Sequence, residues 1–198
     1  MRYDPDKHHR RSIRLRGYDY AWPGAYFVTI VTQGRECLFG DVVGDAMQLN
    51  KAGHAVLEVW GGLPDRFPAV QLDAFVVMPN HVHAIVIIVG AGIAPPRVPD
   101  REGAAPRDKG EGAASRGDHE GAASSAPTLG DVMRAFKSLS ALSVNRLVGR
   151  SGQPLWQRNY FEHVVRDEAD LDRARRYIEA NPQRWAEDEE NPAKAPSL

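Results

Sequence analysis

Apolar residues recur at two different spacings along the chain, and these spacings predict short strands alternating with amphipathic helices. Residues 25–33 (AYFVTIVTQ) are rich in aromatic and β-branched side chains and predict a strand. Residues 71–78 and 81–89 form two further apolar runs joined by a tight turn. Because both runs are apolar on either face, they are expected to be central strands of a sheet.

Helical spacing of the apolar residues predicts three helices between and after these strands. They cover about residues 46–61, residues 129–147 and residues 168–180, and the last ends at an Asn-Pro pair. A short fourth strand at 161–166 completes the order β-α-β-β-α-β-α. This order predicts an α+β fold, a ferredoxin-like βαββαβ antiparallel sheet with an extra C-terminal helix.

The chain is expected to form a single domain over residues 1–185, interrupted by one low-complexity insertion. In that insertion, residues 90–127, 24 of 38 residues are Gly, Ala, Ser or Pro. Such a segment cannot bury enough apolar surface to offset its ordering entropy, so a flexible loop is expected. A basic N-terminal arm (1–20) and a disordered acidic tail (186–198) are expected at the two ends.

Composition narrows the class of protein. With 42% hydrophobic and 26% charged residues, the chain resembles a folded domain and not a disordered or fibrous protein. The longest nearly unbroken apolar run, 84–94, is far shorter than the roughly 18 residues that a transmembrane helix needs. The arginine-rich N-terminus does not fit a signal peptide, so a cytoplasmic location without membrane contact is expected. A single cysteine, Cys37, excludes an internal disulfide and a cysteine-based zinc cluster.

The net charge is only -1, but basic residues concentrate in two regions. Residues 1–20 contain six Lys or Arg against three Asp, and residues 129–185 contain ten against seven acidic residues. Two basic regions suit a phosphate-binding surface, although solvated charge explains the same counts. The candidate DNA-contacting residues in these regions are Arg10, Arg11, Arg14, Arg16, Arg134 and Lys137.

His81 and His83 are the first candidates for chemistry. Alternate side chains of a strand share a face, so the two imidazoles project together and can chelate one divalent ion. The alternative is a pair of structural histidines at the end of a strand.

Tyr177 is the second candidate, on a helix face that also carries Arg173 and Asn181. A phenol with an ordinary pKa near 10 is a poor nucleophile at neutral pH. It becomes a credible one at a phosphodiester that a metal ion polarises. An ordinary surface tyrosine explains the helix pattern equally well, so the two candidates depend on each other.

Two motifs together point to a family. The sequence MPNHVH lies on a predicted strand, and YIEANP closes a predicted helix. With the flanking segments RRSIRLRGYDYAWPGAYFVTIVTQGRECLFG and LWQRNYFEHVVRDEADLDRARRYIEANPQRW, they resemble the transposases of the single-tyrosine HUH class. The similarity is greatest to the REP-associated tyrosine transposases. It covers nearly the whole chain except the insertion and the acidic tail.

The resemblance implies a role for each matching residue. Tyr177 corresponds to the nucleophile, which leaves a 5′-phosphotyrosine link and a free 3′-hydroxyl. His81 and His83 correspond to the metal-ligating pair, and Asn181 stands where related enzymes place a polar third ligand. The amide oxygen suits Mg²⁺ or Mn²⁺. No nucleotide cofactor is expected, because the covalent link conserves the energy of the phosphodiester.

The resemblance also implies the partner. The substrate is expected to be single-stranded DNA with imperfect hairpins, like those of repetitive extragenic palindromes. The protein is expected to be associated with the nucleoid. Arg173 is a further candidate for DNA contact, and the chain is expected to act as a monomer or a homodimer.

Several alternatives stay open. Tyr160 is a rival nucleophile, although its aromatic neighbours favour a core position or a base-stacking platform. His163 would approach the metal site if its strand lay next to that of His81. Two other functions also fit the sequence: a DNA-hairpin-binding protein without catalysis, and a metal-dependent hydrolase that uses activated water.

Overall fold

The computed structural model describes residues 23–89 and 127–194. The predicted N-terminal arm, residues 90–126 of the predicted insertion, and residues 195–198 lie outside the described residues. In chain order the described elements are β1 (Gly24–Val31), β2 (Gly40–Val43), β3 (Ala46–Leu49), α1 (Lys51–Gly61), α2 (Leu63–Arg66), β4 (Val70–Val77), β5 (His81–Ile88), α3 (Leu129–Val148), β6 (Phe161–Val164) and α4 (Glu168–Ala180). A 3₁₀ helix at Gln33–Arg35 follows β1, and another at Pro182–Glu187 follows α4.

The main sheet has the order β4-β5-β1-β6, and every neighbouring pair is antiparallel. Strands β5 and β1 are therefore central, as their apolar sequences predict. The ferredoxin-like α+β fold is confirmed, with the histidine pair at the start of a central strand and an additional C-terminal helix.

Different helices cover the two faces of the main sheet. Val82, Ala84 and Val86 of β5 join a core cluster that includes Phe136 of α3, so α1 and α3 cover this face. The alternate residues of β5 point to the opposite face, which α4 covers. Within residues 23–89 and 127–194, no helix is both long enough and apolar enough to span a membrane.

An ion pair between Arg175 and Asp73 connects helix α4 to the main sheet. The pairing of β4 with β5 is irregular between Leu72 and Phe75, and Asp73 lies within this irregularity. Both of its carboxylate oxygens accept hydrogen bonds from Arg175 of α4, at 2.9 and 2.7 Å. A bidentate contact of this kind fixes orientation as well as distance. It therefore helps to set the position of Tyr177, two residues further along α4.

The predicted helix at 46–61 is wrong in its first part. Residues 46–49 are strand β3, which pairs with β2 in a separate two-stranded sheet. The turn between these strands contains Gly44 and Asp45 with φ of 56° and 63°, the left-handed pair that a tight hairpin requires. Helix α1 begins only after Asn50, whose side-chain oxygen accepts hydrogen bonds from the backbone of Ala52 and Gly53.

The predicted disordered tail is also wrong for residues 186–194. The 3₁₀ helix continues to Glu187, and the following residues run across the start of β5. Asn80 donates a hydrogen bond of 2.7 Å to the backbone oxygen of Glu190, and Arg35 pairs with the Glu190 carboxylate at 3.1 Å. These contacts between distant parts of the chain supply the stabilisation that local composition does not.

Candidate active site

The two histidines converge on a single point. Both side chains are buried, and their Nε2 atoms lie 3.0 Å apart. Each Nδ1 atom already has a protein partner: Asn80 Oδ1 at 2.9 Å for His81, and Thr29 Oγ1 at 2.7 Å for His83. The Nε2 atoms are therefore the ones available to a ligand.

Asn80 determines which nitrogen of His81 carries the proton. Its amide nitrogen donates to two backbone oxygens, those of Arg35 (3.1 Å) and Glu190 (2.7 Å). The amide oxygen must then face His81, and it can only accept a hydrogen bond. His81 Nδ1 consequently carries the hydrogen, and Nε2 presents its lone pair to the site.

Thr29 allows His83 to take either of two tautomers. When His83 Nε2 carries the proton, it donates to His81 Nε2, and the Thr29 hydroxyl donates to His83 Nδ1. When the proton moves to Nδ1, the same hydroxyl accepts it, and both Nε2 lone pairs face each other. Two lone pairs at this separation repel unless a cation lies between them.

Both imidazoles are neutral near pH 7, which is the protonation state that metal ligation requires. Burial lowers the pKa of His81 to about 4, although the nearby Asp188 carboxylate partly opposes this shift. Burial also holds the pKa of His83 well below its usual value, and the proximity of His81 adds to the effect. The site therefore has two neutral nitrogen donors.

Oxygen donors complete the cluster. Asp188 Oδ2 lies 3.8 Å from His81 Nε2, and the ligand atoms of His81, His83 and Asp188 are all within 4.8 Å of one another. Asn181 donates through Nδ2 to Asp188 at 3.4 Å, which leaves its buried Oδ1 without a hydrogen-bond partner among the described residues. A buried acceptor without a donor is costly, and a cation would satisfy it.

The donor set fits a divalent cation. Two imidazole nitrogens, one carboxylate and one amide oxygen suit Mn²⁺, and the oxygen donors suit Mg²⁺. Four acidic residues, Glu187, Asp188, Glu189 and Glu190, line the same end of the cleft and add negative charge there. The residues present are therefore consistent with a metal site of the predicted type.

Tyr177 lies beside this cluster. Its ring centroid is 5.1 Å from that of His83 and 5.8 Å from that of Phe27, edge-on in both cases. The side chain is half-exposed and lines a cleft of about 680 Å³ shared with His83 and Asn181. Burial raises the pKa of the phenol, and the negative charge of Asp188 adds to the shift, while Arg184 opposes it. The phenol is therefore protonated at neutral pH.

The structure separates the other predicted contact residues into two groups. Arg173 lines the cleft and donates to Asp170 at 3.1 Å. Arg134 and Lys137 belong to α3, on the opposite side of the sheet from the histidines. Lys137 also donates to the backbone oxygens of residues 157 and 158, so its ammonium helps to hold the loop before β6. The four predicted arginines of the N-terminal arm, Arg10, Arg11, Arg14 and Arg16, lie outside the described residues.

The two alternative residues lie away from the cluster formed by His81, His83 and Asp188. Tyr160 is partly buried and packs against the hydrophobic core. The strand of His163, β6, pairs with β1 and not with β5, so the condition for its approach to the metal is not met. His163 instead bonds to Asp170 at 2.9 Å.

Sequence reasoning missed three residues of the cluster: Asn80, Thr29 and Asp188. Asn80 directly precedes the histidine pair, and this adjacency was the usable signal. Thr29 is identifiable once β1 pairs with β5, because it lies directly opposite His83. Asp188 had no local signal, since it lies in a run of acidic residues that is typical of a solvated tail.

Comparisons with known proteins find a relative in sequence and several similar solved structures. No family model matches the chain. An uncharacterised protein of Haemophilus influenzae is 35% identical over 190 residues, covering 95% of this chain and 96% of that protein. The solved structure of a REP-associated tyrosine transposase bound to a REP hairpin has a TM-score of 0.49 and 17% identity, over 88% of this chain and 74% of that one. A Deinococcus radiodurans protein assigned provisionally as a transposase has a TM-score of 0.42 and 18% identity, over 85% of this chain and 96% of that one.

Proposed function

We propose that this chain, which belongs to the same family as the Haemophilus influenzae protein, is a metal-dependent enzyme that cuts and rejoins single-stranded DNA through Tyr177. The observation that carries the proposal is the position of the Tyr177 ring, 5.1 Å from that of His83, beside two Nε2 atoms that are 3.0 Å apart. A nucleophile and a divalent-cation site in one cleft are what phosphodiester transfer needs.

His81 and His83 would hold the cation through Nε2, with Asp188 and Asn181 as oxygen ligands. Bound there, Mg²⁺ or Mn²⁺ supplies Lewis acidity, which withdraws electron density from a phosphate oxygen. Asn80 keeps the proton of His81 on Nδ1, and Thr29 accepts that of His83. Both residues thus support the ligands without touching the substrate.

In the proposed reaction, the Tyr177 oxygen attacks the phosphorus of a DNA phosphodiester. The bond between phosphorus and the 3′-oxygen breaks, and the phenol proton ends on that oxygen as a free 3′-hydroxyl. The new tyrosyl phosphodiester keeps the 5′-linked strand on the protein. A 3′-hydroxyl can reverse the step and rejoin a strand, so no nucleotide cofactor is needed.

The proposed substrate is single-stranded DNA that contains imperfect hairpins, and the proposed state is a monomer or a homodimer. Support for a nucleic-acid partner comes from Arg173 at the cleft and from the arginine-rich arm, with Arg10, Arg11, Arg14 and Arg16. The similarity of the motifs to the REP-associated transposases supports the hairpin.

A covalent-trapping assay tests the proposal. Protein, Mn²⁺ and labelled single-stranded DNA from the repeats flanking its gene are run on a denaturing gel. We expect a slower band that Tyr177→Phe and His81→Ala abolish and that Tyr160→Phe, which removes the other candidate phenol, leaves unchanged. An adduct that persists in Tyr177→Phe would show that Tyr177 is not the nucleophile.

The carboxylate of Asp188 beside His81 favours a second candidate, a hydrolase in which water replaces Tyr177 as the nucleophile. The same gel separates the two. Hydrolysis predicts metal-dependent cleavage that survives Tyr177→Phe and gives no slower band. A hairpin-binding protein without catalysis predicts binding with neither product.

A further inference from the structure

We propose that Phe161 binds an unpaired base of the DNA strand next to the phosphate that Tyr177 attacks. This inference rests on the proposed function and adds a subsite to it. The site would take a nucleobase by stacking, with no preference set by hydrogen bonding.

Phe161 belongs to the same row of residues as the metal cluster. On β6 it lies directly opposite Thr29 of β1, and Thr29 lies directly opposite His83 of β5. Residues directly opposite each other in an antiparallel sheet share a face. Phe161 is thus two strands away from the histidines on the face that carries Tyr177.

Aromatic rings connect Phe161 to the nucleophile. The Phe27 ring lies 6.3 Å from that of Phe161 and 5.8 Å from that of Tyr177, edge-on in both cases. The His83 ring stacks on Phe27 at 5.6 Å. This packing holds the inner edge of Phe161 in place and leaves its outer side toward the cleft, which it lines together with Tyr177.

Phe161 is half-exposed although its side chain is large and apolar. Its exposed fraction is 49%, and it lies on β6, the last strand of the main sheet, beyond which no further strand pairs among the described residues. A single exposed phenylalanine is common on protein surfaces. This one, however, borders a cleft of about 680 Å³ that also contains the proposed nucleophile, so a strand bound at Tyr177 would pass close to it.

The charges around the cleft indicate which end receives the strand. Near Phe161 the cleft is lined by Arg173, His163 and Asp170, and the Asp170 carboxylate already bonds to both of the other two. The other end carries the four acidic residues 187–190, together with Arg184 and Lys194. A phosphate therefore meets less negative charge on the Phe161 side, where Arg173 is exposed.

Paired oligonucleotides separate base stacking from phosphate contact. The full chain carrying Tyr177→Phe is titrated, with Mn²⁺ present, against labelled dT12 and against a 12-unit abasic strand with the same phosphates. We expect dT12 to bind at least about fivefold tighter, the lower end of what stacking one base on an aromatic ring contributes. Phe161→Leu should remove most of that difference and leave the affinity for the abasic strand unchanged.

Three variants complete the test. Phe161→Tyr keeps an aromatic face and should keep the preference for dT12, while Arg173→Ala should weaken both strands by similar factors. Leu142→Ala removes an equally exposed apolar side chain on α3, across the sheet, and should change neither affinity. Thermal unfolding of each variant identifies any that fails to fold.

The subsite is overturned if Phe161→Leu weakens both strands equally, if it weakens neither, or if the Tyr177→Phe parent shows no preference for bases. Each of these results leaves the covalent-trapping result intact. Conversely, a base preference that depends on Phe161, in a protein that forms no adduct, would support the subsite and refute the proposed reaction.

Discussion

Replacing Asn80 tests whether a residue behind the proposed metal ligand His81 controls metal binding. The side chain is fully buried and makes three hydrogen bonds: to the backbone oxygens of Arg35 and Glu190, and to His81 Nδ1. At about 1 kcal/mol for each bond, Asn80→Ala should lower the free energy of unfolding by about 3 kcal/mol. It should also weaken Mn²⁺ binding by about 10- to 100-fold, since His81 loses the partner that orients its ring.

Asn80→Asp provides a sharper version of the same test. It has nearly the same shape, but an oxygen replaces the amide nitrogen that donates to Arg35 and Glu190. Oxygen atoms facing each other at these distances repel, so the aspartate variant should be at least as unstable as the alanine variant.

Urea unfolding without metal measures the stability of each variant, and calorimetric titration measures its Mn²⁺ affinity. Asn145→Ala is the matched control, because Asn145 is a buried amide that donates to the Gln153 backbone at 2.7 Å from helix α3. It should lower stability without changing Mn²⁺ affinity. Unchanged Mn²⁺ affinity in Asn80→Ala would refute the role given to Asn80. Wild-type stability in Asn80→Asp would refute the donor role given to the Asn80 amide nitrogen.

Three further predictions concern pH, the tail and the core. The pKa of His81 is lowered from 6.5 to about 4 in the folded protein, so between these pH values the unfolded chain binds more protons than the folded one. The free energy of unfolding without metal should therefore fall by about 2 kcal/mol from pH 7 to pH 5 on account of His81. Urea titrations at both pH values should show a smaller loss in His81→Gln than in wild type. Asp188→Ala should weaken Mn²⁺ binding in calorimetric titration, whereas Glu187→Ala should not, because only Asp188 approaches His81. Gly53→Ala should destabilise the fold by about 1–3 kcal/mol in urea, since its Cβ would lie 2.3 Å from the Phe39 backbone oxygen; stability equal to or above wild type would mean that helix propensity outweighs this clash.

Elements with strong boundary signals were predictable from the sequence. Helix α4 covers residues 168–180 as predicted, because Asp167 caps its start and an Asn-Pro pair follows its end. The hairpin of β2 and β3 was missed, since four residues such as 46–49 fit a helical and a strand period equally well. The Gly44-Asp45 turn was the only signal that distinguished them, and its geometry appears only in the structure.

In the candidate site, too, the sequence indicates some residues and not others. The histidine pair and Tyr177 could be singled out as candidates because their spacing within single elements places each on a defined face. Asp188 was missed because its position depends on the contacts of Asn80 and Arg35 with Glu190, each of which joins segments more than one hundred residues apart. Composition describes only the local sequence, and an acidic run is equally compatible with solvent and with a metal site.

Under the proposed function, the charges of the cleft would link metal binding to DNA binding. At the end where His81 and His83 converge, four consecutive acidic residues, 187–190, line the wall. Three cations oppose them: Arg184 and Lys194 line the same cleft, and Arg35 pairs with Glu190. A DNA phosphate that approaches Tyr177 without a cation meets net negative charge at a half-buried site, where screening by solvent is weak. The histidines would hold a divalent ion whose charge would reverse that balance locally. We therefore expect the strand to reach Tyr177 only after the cation is bound, so that the neutral imidazoles, the raised phenol pKa and the acidic wall belong to one arrangement.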